Sequence, residues 1–186
     1  MSDPANLDRR RFLRRGLAGG ALLIAAGAAP FAFRSTRLRP ARGPLHLLSP
    51  QEYSVLAAAV ARIVPGDGAG PTWPTADALD CAGKIDGLMA RVHPDVGNDF
   101  KRLLRLLESS AFGALQAGSP RPFTQAPPDE QTARLEGWRT SRLALLRSGY
   151  QAVKRLAHAS YYASPETYAR VGYPGPPEVP QPPEAK

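Results

Sequence analysis

Apolar residues along most of this chain recur three and four positions apart, and no segment keeps the two-residue alternation of a half-buried strand. That property confines the chain to helices. The clearest one opens at Ser49-Pro50-Gln51-Glu52. Ser49 is placed to cap, Pro50 suits the first helical position, and Glu52 can reach back to close a capping box. Tyr53, Leu56, Ala57, Val60, Ile63 and Val64 follow at helical spacing, and Pro65-Gly66-Asp67-Gly68 ends the run. The same pattern predicts a second helix over about 75–92, on Leu79, Ile85, Leu88, Met89 and Val92. A third, over roughly 94–116, would bury Val96, Phe100, Leu103, Leu104, Leu107, Ala111 and Leu115. From Pro128 the stripe continues through Leu135, Trp138, Leu145, Tyr150, Val153 and Leu156 to Tyr161-Tyr162. This is one long helix, or two with a bend near Gly137 or Thr140-Ser141. Ser164-Pro165-Glu166 caps a last short turn. The expected architecture is all-α, a small irregular helical bundle.

The segment before the bundle is of another kind. Asp8-Arg9-Arg10-Arg11-Phe12-Leu13-Arg14 stands directly before an apolar run over 16–33. It resembles a twin-arginine export signal, carried by Arg9, Arg10, Phe12 and Leu13. Asp8 stands where Ser or Thr is commoner, and Arg14 where Lys is. The plainer alternative is a basic patch that precedes a helix. Charge, spacing and the following apolar run all favour the signal. The resemblance implies passage across the bacterial inner membrane in the folded state, by way of the twin-arginine translocase, and a periplasmic location. The apolar run, about 18 residues, is at the lower edge of a bilayer span, so retention as an uncleaved anchor is the lesser reading. The expected division is a signal over 1–33, a linker over 34–48, a helical domain over 49–172 and a Gly/Pro-rich tail over 173–186.

Half of the formal charge of +8 belongs to residues 1–34, where six arginines face two aspartates. What remains makes a mildly basic domain, without the concentrated stripe that nucleic acid would require. Cys81 is the sole cysteine. It excludes an internal disulfide and a Cys-rich metal or haem-attachment motif, and it reads as a small buried hydrophobe or as a thiol paired with another chain.

At the level of the domain, the chain resembles the gluconate 2-dehydrogenase subunit 3 family. Leu48-Ser49-Pro50-Gln51-Glu52 with Ala61-Arg62-Ile63-Val64-Pro65 resembles the family's opening helix and its end. Ala82-Gly83-Lys84-Ile85-Asp86 resembles its second helix. Trp138 to Tyr162, continued by Ala163-Ser164-Pro165, resembles its long closing helix, and Gly172-Tyr173-Pro174-Gly175-Pro176 its closing turn. The resemblance covers about 48–177, with nothing recognisable over 118–128. It implies a small exported, non-catalytic subunit that partners a large FAD-dependent dehydrogenase of the glucose-methanol-choline type, often with a cytochrome c subunit carrying haem c. The small chain itself would hold no flavin, haem or metal. It would supply the export signal and assist maturation of a partner that loads FAD before it crosses.

Catalytic candidates are weak. Gly66-Asp67-Gly68-Ala69-Gly70 lacks the strand and helix of a phosphate-cradling motif and reads as a turn. His46, His93 and His158 have no second ligand at metal spacing. Asp77, Asp80 and Asp86 near Cys81 read as a wet helix face, as do Lys101, Arg102 and Arg105. Ser109, Ser110 and Ser119 lack nucleophile context. Tyr161, Tyr162 and Tyr173, with Pro174, Gly175 and Pro176, are either core or an interface anchor. The Gly-Pro segment favours an interface, because it has no reason to be ordered without a surface to lie against. Two rival functions stand beside the escort subunit: a stand-alone helical periplasmic protein, held by an uncleaved signal, and a small periplasmic enzyme.

Overall fold

Helix α1 (Pro50–Ile63) is the axis around which the other elements are laid. A computed structural model describes residues 36–65, 73–117 and 120–177. From Glu52 to Ala61 every residue of α1 is buried. A helix covered on every side needs neighbours that come close, and Ala57, Ala58, Ala59 and Ala61 leave room for them. The expected capping box is present. Ser49 Oγ accepts from the Glu52 N–H at 3.3 Å, and the Glu52 carboxylate accepts from the Ser49 N–H at 2.9 Å.

The remaining helices are α2 (Cys81–Met89), α3 (Pro94–Glu108), α4 (Ser110–Ala117), α5 (Pro128–Arg139), α6 (Ala144–Tyr162) and α7 (Pro165–Tyr168), with a 3-10 turn at Phe123–Gln125. The described residues hold no strand, and the fold is all-α. Helices α2, α3, α5 and α6 all pack on α1. Trp138 on α5 and Phe123 fill the core between them, and Phe112 of α4 meets the Trp138 ring edge-on at 6.1 Å.

Two boundaries differ from the sequence reading. The second helix begins at Cys81, not near Thr75. Thr75 Oγ1 accepts from the Ala78 N–H in a separate turn, and Asp80 takes a left-handed backbone (φ 48°) before the helix starts. The third stretch is broken at Ser109, which leaves the helical conformation (ψ 118°) and accepts from the Phe112 N–H to open α4. The fourth region is two helices, joined through Thr140 to Leu143, at one of the bends expected.

Residues 36–48, expected as linker, are hydrogen-bonded to the bundle at both ends. The Arg37 N–H donates to Thr124 Oγ1 and the Arg39 N–H to Ser54 Oγ, both at 2.9 Å. At the other end Asp86, 1% exposed, accepts the backbone N–H groups of His46, Leu47 and Leu48 at 2.6, 3.1 and 2.7 Å. Asp86 is therefore a buried clamp and not part of a wet face.

Other inward charges are paired too. Glu52, besides its capping role, receives Arg105 at 3.0 Å, so Arg105 is not simply solvated. Glu108 accepts from both the N–H and the hydroxyl of Thr124, at 2.9 and 2.7 Å. Buried Arg134 donates to the Arg121 carbonyl and to Glu130, both at 2.6 Å. Buried polar groups are tolerable where such partners replace their contacts with water.

Candidate partner interface

The end of α6 delivers two adjacent tyrosines to opposite environments. Tyr161 is fully buried and donates its hydroxyl to the Pro74 carbonyl at 2.8 Å. Its ring stacks on Trp73 at 6.5 Å, and burial pushes its hydroxyl above the ordinary tyrosine range. Tyr161 is thus a core residue that holds the 73–80 loop on the bundle, the core reading of the two that the sequence left open, and not itself an exposed interface residue. Tyr162, one position on, points outward and is 36% exposed. The two rings meet edge-to-face at 5.2 Å, so the buried tyrosine braces the exposed one. His158 lies beside Tyr162 at 5.9 Å. Burial, then repulsion from Lys154, holds its pKa below the usual histidine value, which keeps it neutral at pH 7.

Beyond Tyr162 the chain turns back on itself through side-chain hydroxyls. Ser164 Oγ donates to the Ser160 carbonyl and receives Lys84 Nζ at 2.7 Å. Thr167, fully buried, donates to the Ser164 carbonyl at 2.7 Å and closes the α7 turn. Gly172 and Gly175 have φ of +68° and +105°, a region that disfavours side chains, and they steer the closing segment back over α7. The Tyr173 N–H then donates to the Tyr168 carbonyl at 3.0 Å, and the two rings cross at 5.0 Å. The Gly-Pro segment therefore lies against its own chain, contrary to the expectation that it needed an outside surface. Tyr173 nevertheless keeps 44% of its surface exposed, and Val171 keeps 49%. Arg170 lies over the Trp73 ring at 5.8 Å. Tyr162, Val171 and Tyr173, with exposed Pro174 and Pro176 and half-buried Gly175, sit on a locally braced C-terminal corner.

The other candidates do not converge. Asp77 pairs with Arg39 at 3.1 Å, Asp80 accepts from the Tyr53 hydroxyl at 3.4 Å, and Asp86 clamps the preceding segment. Cys81 is fully buried, and burial raises its thiol pKa, which makes it a poor nucleophile. Among the described residues no three His, Cys, Asp or Glu side chains are placed to hold a metal ion. Among them also, no helix is long and apolar enough to cross a membrane. Arg9, Arg10, Phe12 and Leu13, the Gly66–Gly70 turn and Ser119 lie outside the described residues.

Sequence reasoning missed the clamping role of Asp86 and the pairing of Glu108 with Thr124. A signal for both was present. Ala82, Asp86 and Met89 share one helical face, and Glu108 follows Leu104 by one turn. An acid on an apolar stripe is a candidate for a buried, bonded carboxylate.

Comparison with curated proteins and with solved structures gives no match. The sequence model of the family described as gluconate 2-dehydrogenase subunit 3 matches residues 50–175, from the first turn of α1 to the closing Gly-Pro segment. This chain belongs to the gluconate 2-dehydrogenase subunit 3 family.

Proposed function

We propose that this chain is a non-catalytic small subunit that escorts a large FAD-dependent dehydrogenase of the glucose-methanol-choline type through export and maturation. The observation that carries the reading is the family match over residues 50–175, whose family name is that of a dehydrogenase subunit. Three further observations support it. The segment Arg9 to Leu13 resembles a twin-arginine signal, the route for a partner that must cross already folded around its flavin. The acids and the cysteine that could have made a small catalytic site are dispersed into structural bonds. Tyr162 and Tyr173 are held outward by packing beneath them, which suits aromatic anchors that lose little freedom on docking. In this reading the flavin belongs to the partner, haem c to a cytochrome subunit where one is present, and the complex works in the periplasm.

Co-expression with a flavoprotein dehydrogenase encoded beside this chain tests the proposal. A tag on this chain should recover the large subunit and its flavin together. Tyr162→Ala with Tyr173→Ala should weaken the complex by about thirtyfold or more and lower that recovery accordingly, since exposed aromatic anchors each contribute about 1–2 kcal/mol at an interface. Recovery of this chain alone from the periplasm, with the dehydrogenase active without it, would overturn the reading in favour of a stand-alone protein.

A further inference from the structure

Helices α3 and α6 both lie on α1, and between them they leave an open groove of about 480 Å³. Met89, Val96, Phe100 and Leu103 line one side, and Leu145 and Leu156 the other. Val96 is 51% exposed there. The floor is kept low by small residues of α6. A Cβ built on Gly149 would stand 2.4 Å from Leu103 Cδ1, and Ala152 beyond it is exposed. Leu145, Ser148, Gly149, Ala152 and Leu156 recur at helical spacing, so they form one continuous face. From Leu145 to Leu156 that face runs about 16 Å, the length of three helical turns. Both walls are helices, whose backbone donors and acceptors are already used within them. The groove therefore offers a guest side-chain packing and no strand edge, which suits a helix and not an extended peptide.

Charge narrows the guest. Helix α6 carries Arg147, Lys154 and Arg155 and no acidic residue over its whole length. Arg155 lines the groove itself. The one acid that lines it, Asp99, is paired with Arg102 at 2.9 Å. A second copy docking through the same α6 face would bring its own Arg155 against Arg155. The apolar run over 16–33 follows Arg9, Arg10, Arg11, Arg14 and Arg15, so it also arrives with the wrong sign. We propose that the α3–α6 groove is a docking site for an amphipathic helix of another polypeptide, with an apolar face and acidic flanks. This surface is distinct from the C-terminal corner, and the inference stands whether or not the large subunit is the protein that supplies the helix.

The test uses the purified full chain and two synthetic peptides of about 18 residues, long enough to cover the three turns. Both are cross-linked between i and i+4 to hold a helix and carry the same leucine face. One has glutamates flanking that face, the other lysines. Fluorescence anisotropy should show saturable binding of the glutamate peptide, about tenfold tighter than the lysine peptide. Ala152→Glu should weaken the glutamate peptide by about tenfold, and Arg155→Glu should shift preference towards the lysine peptide. Thermal melting by circular dichroism should be unchanged in both variants, whose altered residues are exposed. Equal binding of the two peptides, absence of saturable binding, or indifference to Ala152→Glu would overturn the proposal. Self-association by light scattering that Ala152→Glu abolishes would overturn it too, by showing a second copy as the occupant.

Discussion

Asp86 ties residues 46–48 to α2. Its carboxylate replaces three hydrogen bonds that the His46, Leu47 and Leu48 N–H groups would otherwise make with water. Asp86→Ala leaves those donors beside an apolar helix, the Leu48 N–H in a buried position. The expected loss is about 3 kcal/mol in urea unfolding, because bonds to a charged acceptor are worth more than neutral ones and unmet donors add a penalty. A loss under about 0.5 kcal/mol would mean that water enters and satisfies the strand of donors. Glu108 makes a prediction of another kind. Burial raises its pKa above the ordinary 4.5, against the lowering effect of Thr124 and of Arg134. In the window from 4.5 up to that raised value, the folded chain binds a proton that the unfolded chain has released. Unfolding free energy therefore falls as pH rises through the window. Glu108→Gln keeps an acceptor for the Thr124 N–H and removes the titration. Its stability, measured by urea titration at a series of pH values, should lack that part of the fall and should exceed the parent's most clearly above the window. A parallel pair of curves would show that Glu108 titrates alike in both states. These two acids show what the sequence could reveal at this scale. Their place on inward helical faces was legible from spacing alone. Their partners were not, because Asp86 meets residues 46–48 and Glu108 meets Thr124 across the fold, through backbone groups that every residue carries.

The elements were more legible than their joints. Helix α1 announces itself because Ser49, Pro50 and Glu52 are local signals that act within one turn. The late start of α2 is hidden because Leu79 stays buried in the preceding turn, so the apolar stripe runs on while the backbone changes at Asp80. The break at Ser109 is hidden in the same way, although a serine able to cap was the available sign. The C-terminal corner is where sequence and structure differ most usefully. The prolines of 173–177 rule out regular structure, yet Gly172 and Gly175 fold the segment onto Tyr168. Truncation after Gly172 removes the Tyr173 ring contact and one backbone hydrogen bond at a half-exposed site. The chain should stay folded, with its melting temperature lowered by about 3 °C for a loss near 1 kcal/mol. Recovery of a large subunit should fall well beyond what that small destabilisation explains. Complete unfolding of the truncated chain would make the segment part of the core. Unchanged recovery would remove Tyr173 from the proposed interface.

Taken whole, the sequence places a basic segment and an apolar run ahead of a bundle whose hydrogen bonding extends back to Arg37, four positions after the apolar run ends at Phe33. The proposed escort role makes the leader serve two chains. A sharp test keeps the charge and changes the chemistry. Replacing Arg9 and Arg10 by Lys preserves both positive charges but removes the planar guanidinium donors. A patch that acted only through its charge would be little affected by the change. A twin-arginine signal should fail, leaving this chain in the cytoplasm, as cell fractionation and immunoblotting would show. The partner supplies the second half of the test. A large dehydrogenase that depends on this chain should accumulate in the cytoplasm with it, folded and flavin-loaded, since the change does not touch the bundle or its C-terminal corner. If this chain is retained while the dehydrogenase still reaches the periplasm, the leader is a signal but the escort role is wrong. If both are exported normally, Arg9 and Arg10 are no more than a basic patch, and the folded-export argument falls with them.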